Sequence, residues 1–243
     1  MHDLLLLTLS FAAFTGMVSA QDDFESDVLP TSAGNVTMTF IGHGTLMFRF
    51  KDTVIHVDPW SSLADYSRLP KADLVLITHE HRDHLDPAAI QALRKPAAVV
   101  LHSASCTGKV QGGTVMTNGQ SAVALEIGVE AVPAYNIAHK RDSGEPFHPR
   151  GAGNGYVLTF GDRRVYVAGD TESTPEMKSL KNIDVAFLPM NLPYTMTPEM
   201  VADAAKAFKP KILYPYHYGE TDPAKLVELL EDTDIDVRVR KLR

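Results

Sequence analysis

Short β-prone runs at 36–40, 45–50 and 53–57 are separated by Gly42-His43-Gly44 and Lys51-Asp52, a spacing that predicts a meander of antiparallel strands. The next run, 74–78, is continuously apolar and ends at a cluster of histidines, and Pro87 opens a short predicted helix over 87–95. Further strands are predicted at 98–101, 121–125 and 128–133, with Gly112-Gly113 and Asn118-Gly119 as turns. Residues 136–155 read as a long loop rich in Gly, Pro, His and Arg. The β pattern then resumes at 156–160, turns at Gly161-Asp162 and continues at 164–168. A helical turn (175–180), a strand (185–189), a helix capped by Thr197 (198–208), a strand (211–214), a helix capped by Asp222 (223–231) and a strand (237–239) complete the chain.

Two successive halves emerge, each running from several strands into helix and strand alternation, with no break in composition between them. At 243 residues and 44% hydrophobic, the chain is long enough for one compact domain with two sheets. The apolar stretch 4–18, followed by Val18-Ser19-Ala20 and acidic residues, reads as a signal peptide over 1–20, so a periplasmic or secreted location is expected, with no stable membrane span in the mature chain. Residues 21–34 are expected to be a flexible lead-in, and 35–243 the domain. A net charge of -7 disfavours nucleic acid and anionic lipid surfaces as partners; the small-molecule substrate expected for this chain rests instead on its candidate site chemistry. Cys106 is the only cysteine, so no intrachain disulfide forms.

The chemistry concentrates in Thr78-His79-Glu80-His81-Arg82-Asp83-His84. Imidazole nitrogen and carboxylate oxygen are the donors that zinc and similar ions take. In extended backbone His79, His81 and Asp83 leave one side, with His84 turning in beside them. Two later strand ends add Asp170, after Gly169, and His217. Asp58 is a candidate partner for a metal-bound histidine. His43, Trp60, Tyr135, Asn136, Asn191, Tyr194 and Tyr218 are candidate cavity residues, and Lys140, Arg141 and Arg150 candidate anion contacts.

Taken together, the Thr-His-x-His-x-Asp-His motif at 78–84, Gly169-Asp170-Thr171 and His217 resemble the metallo-β-lactamase-fold hydrolases. Phe147-His148-Pro149-Arg150-Gly151, Gly155-Tyr156, residues 166–171 and Pro215-Tyr216-His217-Tyr218 are most similar to the branch holding ascorbate-6-phosphate lactonase and the N-acyl phosphatidylethanolamine phospholipase D. The resemblance implies an α/β (α+β) fold, a four-layer αββα sandwich, with two divalent ions, zinc or alternatively manganese or iron. It implies that His79, His81 and a later histidine hold one ion, Asp83, His84 and His217 the other, and that Asp170 bridges. The later histidine is His148 or His139, with His148 preferred because it shortly precedes the Gly155-Tyr156 strand. Such a pair would acidify a shared water for attack on a small or lipid-like ester, lactone or phosphodiester, with Asp83 accepting a proton and Asp170 placing both ions. The alternatives are β-lactam amide hydrolysis in the same fold, or a metal- or partner-binding protein without turnover.

Overall fold

The computed structural model describes residues 24–243; the expected signal peptide, residues 1–20, lies outside the described residues. The first half forms one seven-stranded sheet: β1 (Ser26–Thr31), β2 (Gly34–Gly42), β3 (Thr45–Phe50), β4 (Thr53–Val57), β5 (Ala72–Ile77), β6 (Arg94–His102) and β7 (Thr114–Val115), in that spatial order. The second half forms another: β8 (Ser121–Ala124), β9 (Ile127–Ala134), β10 (Gly153–Phe160), β11 (Arg163–Val167), β12 (Val185–Pro189), β13 (Ile212–Tyr216) and β14 (Asp236–Val237). In each sheet the first four strands pair antiparallel and the remainder parallel.

Strand alternation builds the layers. In β5, Leu74 and Leu76 face the core between the sheets, whereas Val75 and Ile77 face outward, where α1 (Pro87–Leu93) supplies Ala89, Ile90 and Leu93. A strand covered on both faces has no polar side, which is why this run is apolar throughout. The two sheets meet through aromatic rings. Phe187 of β12 stacks on Tyr214 of β13 with centroids 4.9 Å apart and meets Phe40 of β2 at 6.2 Å and Phe48 of β3 at 6.1 Å. Truncating so central a ring costs about 3–5 kcal/mol. The outer face of the second sheet is covered by α2 (Pro175–Lys178), α3 (Pro198–Phe208) and α4 (Ala224–Leu230). The fold is therefore the four-layer αββα sandwich.

Local chemistry sets the helix ends. Thr197 accepts the Met200 amide at 3.1 Å and Pro198 takes the first turn of α3, where a missing N–H costs nothing. Asp86 accepts the amides of Ala88 and Ala89 at the start of α1. At α4 the cap position is Pro223, and Asp222 reaches past it to the Ala224 amide. Residues 26–31 differ from expectation, since they form β1 and not flexible lead-in. Asp27 explains it: its carboxylate accepts from Tyr214 of the opposite sheet and lies 2.8 Å from Arg240, tying this short segment to the far end of the chain. Strand β10 likewise begins at Gly153, inside the expected loop, because the Asn154 amide pairs with the Thr78 carbonyl at 2.9 Å.

His56 of β4 is fully buried; its Nε2 lies 3.0 Å from the Pro70 carbonyl and its Nδ1 has no partner. Burial pushes its pKa from the ordinary 6.5 down to about 4, the Pro70 contact opposing only in part. Below 6.5 the unfolded chain therefore takes up a proton that the folded chain refuses until about 4, so stability present at neutral pH is lost as pH falls through that window. Replacing His56 by Gln keeps a donor for Pro70 and removes the titration. In urea unfolding at pH 7 and pH 5, His56→Gln is expected to lose about 2 kcal/mol less than wild type between the two. Equal losses would show that His56 is not charged in the unfolding step.

Candidate metal centre

Every predicted ligand lies at one edge of the sandwich, where the loops after β2, β5, β9, β11 and β13 meet. Two groups form there: His79, His81, His148 and Asp170; and His43, Asp83, His84 and His217. In the first, His81 Nδ1 is 3.0 Å from His79 Nε2 and 3.2 Å from His148 Nε2, and Asp170 Oδ2 is 3.3 Å from His148 Nε2. In the second, Asp83 Oδ2 lies 3.0 Å from His43, 3.5 Å from His217 and 3.7 Å from His84. The other oxygen of Asp170, Oδ1, faces this second group, 3.4 Å from His84 Nε2 and 3.5 Å from His217 Nε2.

The backbone explains the division. Simple alternation would send Asp83 the same way as His79 and His81, but a tight turn, with the His84 and Leu85 amides on the His81 carbonyl, rotates Asp83 and His84 into the second group. Gly169, at φ 65, lets the chain turn into Asp170 where a Cβ would sit 2.8 Å from the Asn154 carbonyl. Gly44 is equally constrained, because its Cβ would lie 2.8 Å from the His84 ring.

The donor set fits divalent ions. Tetrahedral N and O ligands of one zinc stand about 3.3 Å from each other, close to the separations here. His84 Nε2, His217 Nε2 and Asp170 Oδ1 are buried, converge, and have no hydrogen-bond partner, a costly state that a cation relieves. Electrostatics point the same way. Burial opposes the charged form of His84, but Asp170, Asp58 and Asp83 overcome it and raise its pKa to about 10. Burial also opposes the charge on Asp170, yet the surrounding imidazoles hold it well below the usual carboxylate range. His79 is pushed well below the ordinary imidazole value by burial and by the His84 charge, so it is a neutral donor.

Asp58 stands 2.8 Å from His84 Nδ1 and accepts the Thr78 amide, which turns His84 Nε2 toward the centre. His148 is in the first group and hydrogen-bonds Asn136, whereas the Nδ1 of His139 lies 2.8 Å from Glu172, outside both groups. A cavity of about 420 Å³ opens over the centre, lined by His81, Asp83, His148, Asp170 and His217 with Arg141, Phe147, Asn191 and Tyr194. Trp60 touches the centre only through the His43 ring, 5.4 Å away. Tyr218 and Tyr135 do not line the cavity, their hydroxyls donating to the Arg240 carbonyl and to Glu176. Arg150 pairs with Glu176, the Lys140 backbone forms a β-bridge with Pro146, and of the three basic candidates Arg141 alone lines the cavity.

Two features escaped the sequence reading. His43, expected only in the pocket, sits among the second group's donors, a position that its flanking glycines hint at. Glu172, buried, gathers the amides of Ile137, Ala138 and His139 at 2.7–2.8 Å, and nothing in its local sequence marks it out.

The profile of the beta-lactamase superfamily domain matches residues 37–217. A metal-dependent hydrolase of the UPF0173 group from Enterococcus faecalis is 32% identical over 211 residues, covering 79% of this chain and 93% of its own. Among solved structures, a protein from Parabacteroides distasonis described as a metal-dependent hydrolase is 51% identical, covers 90% of this chain and all of its own, and superposes with a TM-score of 0.87. Igni18, a metallo hydrolase from Ignicoccus hospitalis, is 28% identical over 85% of this chain and 95% of its own, with a TM-score of 0.70. With these likenesses joined to the sandwich and its edge of histidines and aspartates, the chain belongs to the beta-lactamase superfamily.

Proposed function

We propose that this protein is a hydrolase with two divalent ions, zinc being the ion its donor set suits, acting on a small anionic ester, lactone or phosphodiester. The observation that carries the reading is Asp170, whose two oxygens each face a different cluster at the floor of the cavity. The relatives described as metal-dependent hydrolases support it. Ions held there by the two groups would supply Lewis acidity to a substrate oxygen and to water. The chain's own residues hold the donors apart: Asp58 orients His84, Asp170 ties the two clusters, and Asp83, partly open to the cavity, is placed to take a proton.

The substrate side rests on Arg141. Its guanidinium stacks 5.1 Å over the Phe147 ring and donates to the Phe147 carbonyl, contacts that hold this exposed side chain at the cavity wall. Among the described residues no carboxylate pairs with it. An arginine so placed receives a carboxylate or phosphate, and the Phe147–Tyr194 ring pair, centroids 5.1 Å apart, gives an apolar wall beside it.

Two measurements test the reading. Elemental analysis of purified protein is expected to find two ions per chain; Asp170→Asn should hold fewer than one and lose turnover on an ester and phosphodiester panel by on the order of 100-fold or more. Full activity in His81→Ala would refute the two-ion reading. Arg141→Met is expected to lower kcat/KM for mono-p-nitrophenyl glutarate by roughly 10- to 100-fold, as one charged hydrogen bond is worth about 1.5–3 kcal/mol, and to leave neutral p-nitrophenyl acetate unchanged. Equal losses on both esters would remove Arg141 from substrate recognition.

A further inference from the structure

Glu172 lies in neither cluster and does not line the cavity, yet its carboxylate is buried and crowded with donors. Oε2 accepts the amides of Ile137 at 2.8 Å and Ala138 at 2.7 Å; Oε1 accepts the amide of His139 at 2.7 Å and the Asn136 side chain at 3.1 Å. A carboxylate surrounded by backbone N–H groups acts only as an acceptor, so the Asn136 group facing it must be the NH2. The second hydrogen of that NH2 goes to the Tyr194 carbonyl at 2.9 Å. The Asn136 amide therefore has one orientation, with Oδ1 turned to His148.

Oδ1 accepts the His148 backbone amide at 2.9 Å and stands 2.7 Å from His148 Nδ1. An amide oxygen with no proton obliges Nδ1 to carry one. In the neutral ring, the form that holds a metal, that leaves a bare lone pair on Nε2, the atom 3.2 Å from His81 Nδ1 and 3.3 Å from Asp170 Oδ2. We propose that Glu172 is the positioning carboxylate of the first cluster, acting through Asn136 to fix both the ring orientation and the tautomer of His148. The role parallels that of Asp58 toward His84, with an amide interposed between acid and ring. It explains why the loop after β9 is held so firmly: amides of 137, 138 and 139 bind the carboxylate, and the Asn136 amide returns to the His148 carbonyl at 2.9 Å. The consequence for metal holding rests on the two-ion reading above, whereas the tautomer does not.

The experiment has two arms. Nitrogen-15 NMR of the imidazoles in metal-free full-length protein, with the His148 signals assigned by their loss in His148→Gln, is expected to show Nδ1–H in wild type. In Glu172→Gln and Asn136→Ala the signature should become mixed or revert to Nε2–H. Asn136→Ala removes a single side chain from the network and serves if Glu172→Gln fails to fold. In the second arm, zinc is titrated against a chelator, the first-cluster step being the one that His148→Gln abolishes. Asn136→Ala is expected to weaken that step by roughly 10–100-fold and to leave the other, at His43, Asp83, His84 and His217, within about twofold. Loss at both steps alike would mean general loosening and overturn the proposal. So would Nε2–H in wild type, or an unchanged tautomer in both variants. If wild type binds no zinc while its tautomer responds as expected, the positioning role stands and the two-ion reading falls.

Discussion

A carboxylate buried among imidazoles is the constraint on which the rest of this structure depends. Asp170 is only 5% exposed, and its two oxygens are directed at two different groups of ring nitrogens. Stripped of water, such a charge needs compensation at close range. The geometry answers with nitrogen donors on both sides, and the proteins' own acids and bases shift accordingly: His84 is raised by the nearby carboxylates and Asp170 is lowered by the imidazoles. An edge that pulls this hard toward positive charge is organised for cations.

The sandwich supplies that edge at little conformational cost. Each sheet changes from antiparallel to parallel midway, at β4 and at β11, and the segments that follow these strands carry Asp58 and Asp170. Loops beyond the carboxyl ends of parallel strands are where α/β sheets gather ligands. Two phenols hold the loops in register: the Tyr156 hydroxyl donates across the sheets to the Ile77 carbonyl just before the histidine motif, and within the second sheet the Gly169 amide donates to the Tyr216 hydroxyl just before Asp170. Both phenols are buried, so these contacts are shielded from competing water.

Around the two groups of donors runs a second layer of polar contacts that is unequal on the two sides. His84 is oriented directly by Asp58, a residue at the end of a neighbouring strand. His148 is oriented by Asn136, from a loop with no regular structure of its own. The loop is therefore bound to the second sheet through Glu172, and the same loop carries Arg141 and Phe147 to the cavity. The orientation of His148 and the cavity wall are thus one mechanical unit.

The chain alone determined most of the strands, the cap of the 198–208 helix and the local half of the centre, because period-two burial, proline at helix starts and a dense motif of donor residues are local signals. Thr197 and the 198–208 helix are instances, as are His79, His81, Asp83 and His84. Asp170 and His217 were legible too, since each directly follows a strand. Only the tertiary structure decided that residues 26–31 are a strand, because its anchors, Tyr214 and Arg240, lie almost the whole chain away from Asp27. It separated His148 from His139, moved Tyr218 and Tyr135 away from the cavity, brought His43 into the second group and set Glu172 behind Asn136. In each case the deciding contact joins loops distant in sequence, and a buried donor finds its acceptor only once both sheets are packed.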